Sequence, residues 1–156
     1  MPTYPLDVLL RLRSEAVERA KREWLVAAMT AQIASSVRSS AEDAVGLHER
    51  AVATVTKAER DALTRGELRV IDLVRAEAWS KSVVPKAEKL RSAVGRARLA
   101  EEDATRARQG MKHDLAARMA DARVLEKDRA AWAEAVRKAA DLHEEEASFE
   151  AWRPKR

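Results

Sequence analysis

Apolar residues recur along this chain in alternating steps of three and four, in two long stretches on either side of residues 64–67. This spacing is typical of helices that pack along one face in heptad-like fashion. We call these positions the predicted seam. In the first stretch the seam comprises Ala20, Trp24, Ala27, Ala31, Ala34, Ala41, Val45, Val52, Val55 and Ala62, interrupted by Arg38, His48 and Glu59. In the second it comprises Leu90, Val94, Ala97, Ala104, Met111, Leu115, Ala122, Leu125, Trp132, Val136 and Ala139.

The short segment between the two stretches has the residues of a bend. Gly66 can adopt a positive φ at little cost. Thr64 and Glu67 have the spacing of a capping box, in which each side chain satisfies an amide at a helix start. The sequence therefore predicts a first helix over about residues 5–63, a bend at about 64–67 and a second helix over about 68–150.

Pro85 complicates the second helix, because a proline inside a helix removes one hydrogen bond and clashes with the preceding turn. We expect a kink or a break near residues 82–85. The alternative places the bend of the hairpin at 82–85 and treats residues 64–67 as an interruption of the first arm. A glycine with a capping box makes a better turn than Val-Val-Pro, so the earlier bend is favoured.

Composition supports a thin helical structure over a layered globule. Charged residues make up 36% of the chain and aromatic residues only 4%, which suits long exposed helices. We predict an all-α fold, a long antiparallel two-helix coiled-coil hairpin forming one elongated unit over residues 1–156. The net charge is +4 with interleaved signs. Nucleic acid is not an expected partner, because the most basic segment, residues 86–112, lacks aromatic residues for base stacking.

The sequence offers little material for catalysis. It has no cysteine, its four glycines are isolated, and its three histidines are far apart. Phosphate-binding loops and His-based metal sites need closely spaced residues of these types. We predict no enzymatic activity, no catalytic residue, no cofactor and no metal. No apolar run approaches the ~18 residues of a membrane-spanning helix, so direct membrane insertion is not expected.

Two apolar clusters have more surface than two helices readily bury, which leaves two readings for each. One reading is local packing, as a small end cluster in the first case and against the kink at Pro85 in the second. The other is contact with other proteins. One cluster lies at the end opposite the bend, and the other lies just beyond the bend. The first cluster comprises Leu6, Leu9, Leu10, Leu12, Trp132, Leu142, Phe149 and Trp152. The second comprises Leu73, Trp79 and Val83.

The opening of the chain resembles a known family. The pattern formed by Leu6, Leu9, Leu10, Arg11, Leu12, Arg13, Arg19 and Ala20 is similar to that of the YscO/FliJ-like stalk proteins of bacterial type III secretion and flagellar export. Leu63, Gly66 and Leu68 at the bend, and the longer second helix, are similar too. The resemblance spans nearly the whole chain.

This resemblance implies a coiled coil similar to that of the rotary ATP synthase gamma subunit. It implies a non-enzymatic, monomeric central stalk that couples the hexameric secretion ATPase to the cytosolic domain of the export gate. Some members also escort chaperones of secreted substrates. The expected location is the cytoplasm, peripheral to the inner membrane through the secretion apparatus. By position, residues 6–20 and 132–152 would face the ATPase, and Trp79 and Val83 would lie near the gate. The alternative is a structural coiled-coil scaffold or homodimerising adaptor.

Overall fold

The computed structural model describes residues 3–152, and these residues form two long helices with no strand among them. Helix α1 spans Asp7–Thr64 and α2 spans Val70–Trp152. The all-α prediction of two long helices in a hairpin is confirmed. Residues 1–2 and 153–156, which the predicted unit also included, lie outside the described part of the chain.

The chain divides into two compact units. Unit 1 comprises Met1–Leu25 and Gly110–Arg156, and unit 2 comprises Val26–Gln109. In each unit a part of α1 packs antiparallel against a part of α2. In unit 1, Asp7 meets Arg129 and Arg13 meets Asp121. In unit 2, Arg38 meets Glu101 and Glu49 meets Arg91. The partner's number falls as the α1 number rises, which defines the antiparallel arrangement.

The connection after α1 is a Schellman motif centred on Gly66, which has a φ of 70°. The Gly66 amide donates to the carbonyl of Leu63 at 3.1 Å, and the Glu67 amide donates to that of Ala62 at 3.1 Å. These two bonds satisfy carbonyls that the end of a helix leaves without partners. A glycine is favoured at this position because a side chain at positive φ is strained.

The predicted capping box does not form. Thr64 is still part of α1, and its hydroxyl donates to the Arg60 carbonyl at 2.8 Å instead of accepting from a new helix start. Glu67 pairs with Arg65 at 2.9 Å. The start of α2 is capped by Asp72, whose carboxylate accepts from the Arg69 amide at 3.1 Å. The helix begins at Val70, two residues later than predicted, and Asp72 at its third position accepts from the amide that precedes the helix, as the acidic residue of a capping box does.

The expected break near residues 82–85 is absent, because Pro85 lies inside α2, which runs without interruption through these residues. The turn between the helices is at residues 65–69, so the alternative bend at Pro85 is not adopted. Pro85 has no N–H to give to the carbonyl of Lys81, and its side chain is exposed. The helical bonds on either side hold this stretch in α geometry despite the missing bond.

Among the side chains that the structure describes, four of the seven buried apolar ones are alanines. Ala20 is 2% exposed, and the other buried apolar residues are Tyr4, Leu10, Val17, Ala31, Ala97 and Ala122. Every predicted seam position on α1 is buried or half-buried. On α2 the same holds except at Met111 and Ala139, which are exposed. Alanine lets two helix backbones approach closely, but it buries little apolar area.

Candidate partner-binding surfaces

In unit 1, Tyr4 joins the segment before α1 to α2 through two contacts. Its phenol donates a hydrogen bond to Asp128, and its ring lies 5.6 Å from the ring of Trp132, tilted by 58°. The hydrogen bond to the Asp128 carboxylate raises the pKa of Tyr4 to about 12, because ionisation would break the bond and place two negative charges together. Tyr4 and Trp132 thus pack against each other, so Trp132 is part of the interior contact and not a free anchor.

The leucines at the start of α1 divide into two groups. Leu10 is 7% exposed and belongs to the core of unit 1, so it is unable to present its side chain to a partner. Leu6, Leu9 and Leu12 are exposed. Of the predicted cluster on α1, these three leucines form the accessible surface.

The last turns of α2 carry the most accessible apolar residues of unit 1. Residues 137–150 are all exposed, which shows that α1 does not cover them. Among the predicted residues there, Phe149 is 76% exposed, Trp152 is 88% exposed and Leu142 is also exposed. We call residues 137–152 the free end of α2. Asp141, Glu144 and Glu145 line the same open surface as Phe149 and Trp152, so the aromatic side chains have acidic neighbours.

The second predicted cluster lies near the interhelical turn in unit 2. Leu73 is exposed and, with Leu63 and Leu68, borders a shallow apolar depression. Trp79 and Val83 are half-buried. Val83 borders a groove that Val52 of α1 also lines, so much of its surface is used within the hairpin. Leu73 is therefore the most accessible of the three predicted residues.

A four-residue ionic network in unit 2 was not predicted from the sequence. Arg38 donates to Glu101 at 2.5 Å and to Glu42 at 2.7 Å, and Arg98 donates to Glu42 at 2.8 Å. Hydrogen bonds from Arg98, and then from Arg38, lower the pKa of Glu42 even though desolvation opposes the shift. Hydrogen bonds to Glu42 and Glu101 raise the pKa of Arg38. The pairing of Arg38 with Glu42 could have been predicted from their i,i+4 spacing on one helix. The pairs across the helices, Arg38 with Glu101 and Arg98 with Glu42, could not.

Within residues 3–152, no cluster of three or more histidine, aspartate or glutamate side chains is placed to bind a metal ion. Neither helix in that range combines the length and apolar character needed to cross a bilayer. Comparisons with protein-family models, curated proteins and solved structures find no match. The fold defines the chain as a two-helix hairpin whose candidate surfaces are the leucines at the start of α1, the free end of α2, and Leu73 near the turn.

Proposed function

We propose that this chain is a non-enzymatic central stalk of a type III secretion export apparatus. In this function, one copy binds the hexameric secretion ATPase through Leu6, Leu9 and Leu12 at the start of α1 and through the free end of α2. The region around Leu73 contacts the cytosolic domain of the export gate, and the stalk also escorts chaperones of secreted substrates. The protein acts in the cytoplasm and reaches the inner membrane through the apparatus.

The observation that carries this proposal is the exposure of Phe149 and Trp152 on the free end of α2. Aromatic side chains are enriched among residues that dominate protein–protein binding energies. Two aromatic rings that the hairpin leaves uncovered are suited to insertion into another protein. Leu6, Leu9 and Leu12 add exposed apolar surface in the same unit. A ring of ATPase subunits offers a lined pore for such an end, as the resemblance to the YscO/FliJ-like stalk proteins implies.

The decisive experiment measures the hydrolysis rate of the secretion ATPase from the same organism with and without this protein. We expect the wild-type chain to bind the ATPase and raise its hydrolysis rate. The double variant Phe149→Ser and Trp152→Ser should lose both effects. Val124→Ser is the matched control, because Val124 is an exposed apolar residue of unit 1 outside the proposed surface. Absence of binding and stimulation by the wild-type chain would refute the proposal.

Contact with the gate is tested separately. We expect Leu73→Ser to weaken binding to the cytosolic domain of the gate, whereas Leu47→Ser should bind as the wild type does. Leu47 is an exposed leucine of the same unit and is distant in sequence from the turn. Equal binding by both variants would remove Leu73 from the proposed contact. Trp79 and Val83 are less suitable test positions, because they are half-buried and their replacement would also disturb the hairpin.

The second candidate function is a structural coiled-coil scaffold or homodimerising adaptor. The observation that favours it is the exposure of large apolar residues that belong to neither predicted cluster, such as Ile33, Leu99 and Val124. A scaffold binds other chains along its helix faces and has no effect on ATP hydrolysis. Binding without any stimulation of the ATPase would therefore favour the scaffold.

A further inference from the structure

A groove between the two helices of unit 2 has an apolar floor. Val52 and Ala53 of α1 form one side of this floor, and Val83 and Ala87 of α2 form the other. The groove has a volume of about 400 Å³ and is open to water, so side chains of another molecule can enter it. We call it the interhelical groove.

Positive charges border both ends of the interhelical groove. Arg91 of α2 marks one end, level with Glu49 of α1, which it contacts at 3.4 Å. Lys57 and Arg60 border the groove eight and eleven residues further along α1 than Glu49. This places them about 12–17 Å along the helix axis at ~1.5 Å per residue. The floor residues of α1, at 52 and 53, fall between these two ends.

The cations at the groove are available to a ligand. None of the ion pairs among the described residues of unit 2 includes Lys57 or Arg60. Glu49 is the only acidic residue among the described residues that line the groove. Its pair with Arg91 joins two side chains that are both more than half exposed. An exposed pair contributes little to stability, so Arg91 can exchange Glu49 for an acidic group of a ligand.

We propose that the interhelical groove binds a helical segment of another protein, with acidic residues on both sides of an apolar centre. The apolar side chains of this segment pack on the floor of the groove. Its carboxylates pair with Arg91 at one end and with Lys57 or Arg60 at the other. A helix lying along the groove meets both ends when its acidic residues are about eight to eleven positions apart, because it has the same rise per residue as α1.

Charge complementarity selects this partner. A positively charged border attracts an acidic segment and repels a basic one. The apolar floor distinguishes the segment from a nucleic acid, whose phosphate backbone has no apolar side chain to place there. This inference rests on the residues of the groove and not on the proposed function.

Fluorescence anisotropy with two labelled, stapled helical peptides tests the proposal on the full chain. Both peptides have leucines at helical spacing in the centre. They differ only at two positions about nine residues apart, which are glutamate in one peptide and lysine in the other. We expect the glutamate peptide to bind on the order of tenfold more tightly, with an advantage that shrinks as salt is added. Equal binding of the two peptides, or no binding of the glutamate peptide, would overturn the proposal.

Charge reversal at the groove tests which cations are used. Lys57→Glu combined with Arg60→Glu should weaken binding of the glutamate peptide by on the order of tenfold. The matched control combines Arg75→Glu with Arg108→Glu, which changes the net charge equally at exposed residues of the same unit outside the groove. This control should bind nearly as the wild type does. An equal loss in both double variants would mean that net charge alone attracts the peptide, and the proposal would fail.

The floor is tested with two neighbouring alanines. Ala53 lines the groove and Ala51 does not, and both are exposed. Ala53→Gln places a polar group under the leucines of the peptide and should weaken binding, whereas Ala51→Gln should not. Equal binding by these two variants would contradict packing on the floor and overturn the proposal. Circular dichroism checks that all variants keep their helical content.

Other anionic partners are compared directly. Vesicles containing phosphatidylserine and a single-stranded DNA are measured against the same variants. We expect neither to lose binding selectively in the variant with Lys57→Glu and Arg60→Glu. If either bound as tightly as the glutamate peptide and showed that selective loss, the groove would be a general anion site and the proposal would be wrong.

Discussion

The phenolic oxygen of Tyr4 donates a hydrogen bond to Oδ2 of Asp128, which lies 124 residues further along the chain. This bond joins the segment before α1 to the second half of α2 within unit 1. Its acceptor is charged, which makes it stronger than a bond between neutral groups. The bond ties chain segments that sequence spacing alone would not connect.

The raised pKa of Tyr4 predicts a loss of stability in alkaline solution. Its folded-state pKa of about 12 lies above the ordinary value of 10.0. The phenol's contribution is therefore complete below pH 10 and disappears as the pH rises through about 12. Tyr4 is the only tyrosine in the chain, so phenolate absorbance reports its ionisation directly. We expect a titration midpoint well above 10 in the wild type and a lower midpoint in Asp128→Asn. Equal midpoints would contradict the assignment.

The Arg38–Glu101 pair predicts a measurable coupling between the two helices of unit 2. In a double-mutant cycle, Arg38→Ala and Glu101→Ala should destabilise the fold by less together than the sum of the single effects. The comparison pair, Arg106 and Asp103, lies on one helix, and both side chains are 72% exposed. The coupling free energy of this pair should therefore be smaller. Thermal unfolding followed by circular dichroism gives the four free energies of each cycle. Equal coupling in both pairs would argue against a special role for Arg38.

Glu42 predicts a loss of stability on acidification. Its pKa is lowered in the folded state, first by Arg98 and then by Arg38. The carboxylate's contribution is therefore complete above its ordinary pKa of 4.5 and is lost as the pH falls through the lower folded value. Glu42→Gln should be less stable than the wild type at neutral pH, and the difference should shrink in acid. A difference that does not change with pH would rule out this charge effect.

Gly66 and Gly95 should respond in opposite directions to the same substitution. Gly66→Ala places a side chain at a φ of 70° and should destabilise the hairpin by about 1 kcal/mol. Gly95 lies within α2, and a Cβ atom added there meets nothing within 4 Å. Gly95→Ala should therefore stabilise the fold by about 0.5–1 kcal/mol. Chemical denaturation measures both changes. The same sign at both positions would contradict the Schellman motif.

Replacing Pro85 should stabilise α2. Pro85→Ala restores an amide that can donate to the Lys81 carbonyl, with a gain of up to about 3 kcal/mol. Hydrogen exchange should show greater protection of the amides of residues 82–89. Pro5→Ala is the control, because Pro5 precedes the first residue of α1 and interrupts no helical bond. If both variants had the same stability as the wild type, the missing bond would have no net cost.

The sequence predicted the helices well because their periodicity is local information. Gly66 marked the turn correctly, since its conformational freedom is a property of the residue itself. Thr64 and Glu67 misled the capping prediction because the same spacing also fits the last turn of a helix, where the threonine hydroxyl bonds back to Arg60. The effect of Pro85 could not be judged locally, because the penalty of a proline competes with helical bonds on both sides of it.

The candidate surfaces could be predicted only in part from the sequence. Hydrophobicity placed Leu10 and Phe149 in one cluster. Leu10 is only 7% exposed because it faces the other helix, whereas Phe149, which does not, is 76% exposed. The partner of Arg38 on α2 depends on how the helices align, which no spacing within α1 determines. The exposure of Ile33 and Val37 on α1 was not predicted, because the buried apolar residues of unit 2 are the alanines Ala31 and Ala97 while larger side chains lie in water, the reverse of the usual arrangement.

Helix α1 thus carries two apolar faces within unit 2, one of alanines against α2 and one of larger side chains in water. Turning α1 about its own axis would bury Ile33 and its neighbours and gain more apolar contact. This rotation would break the two ion pairs between the helices, Arg38–Glu101 and Arg98–Glu42, whereas the Arg38–Glu42 pair within α1 would remain. The ion pairs between the helices therefore favour the observed orientation of α1, in which Ile33 stays exposed.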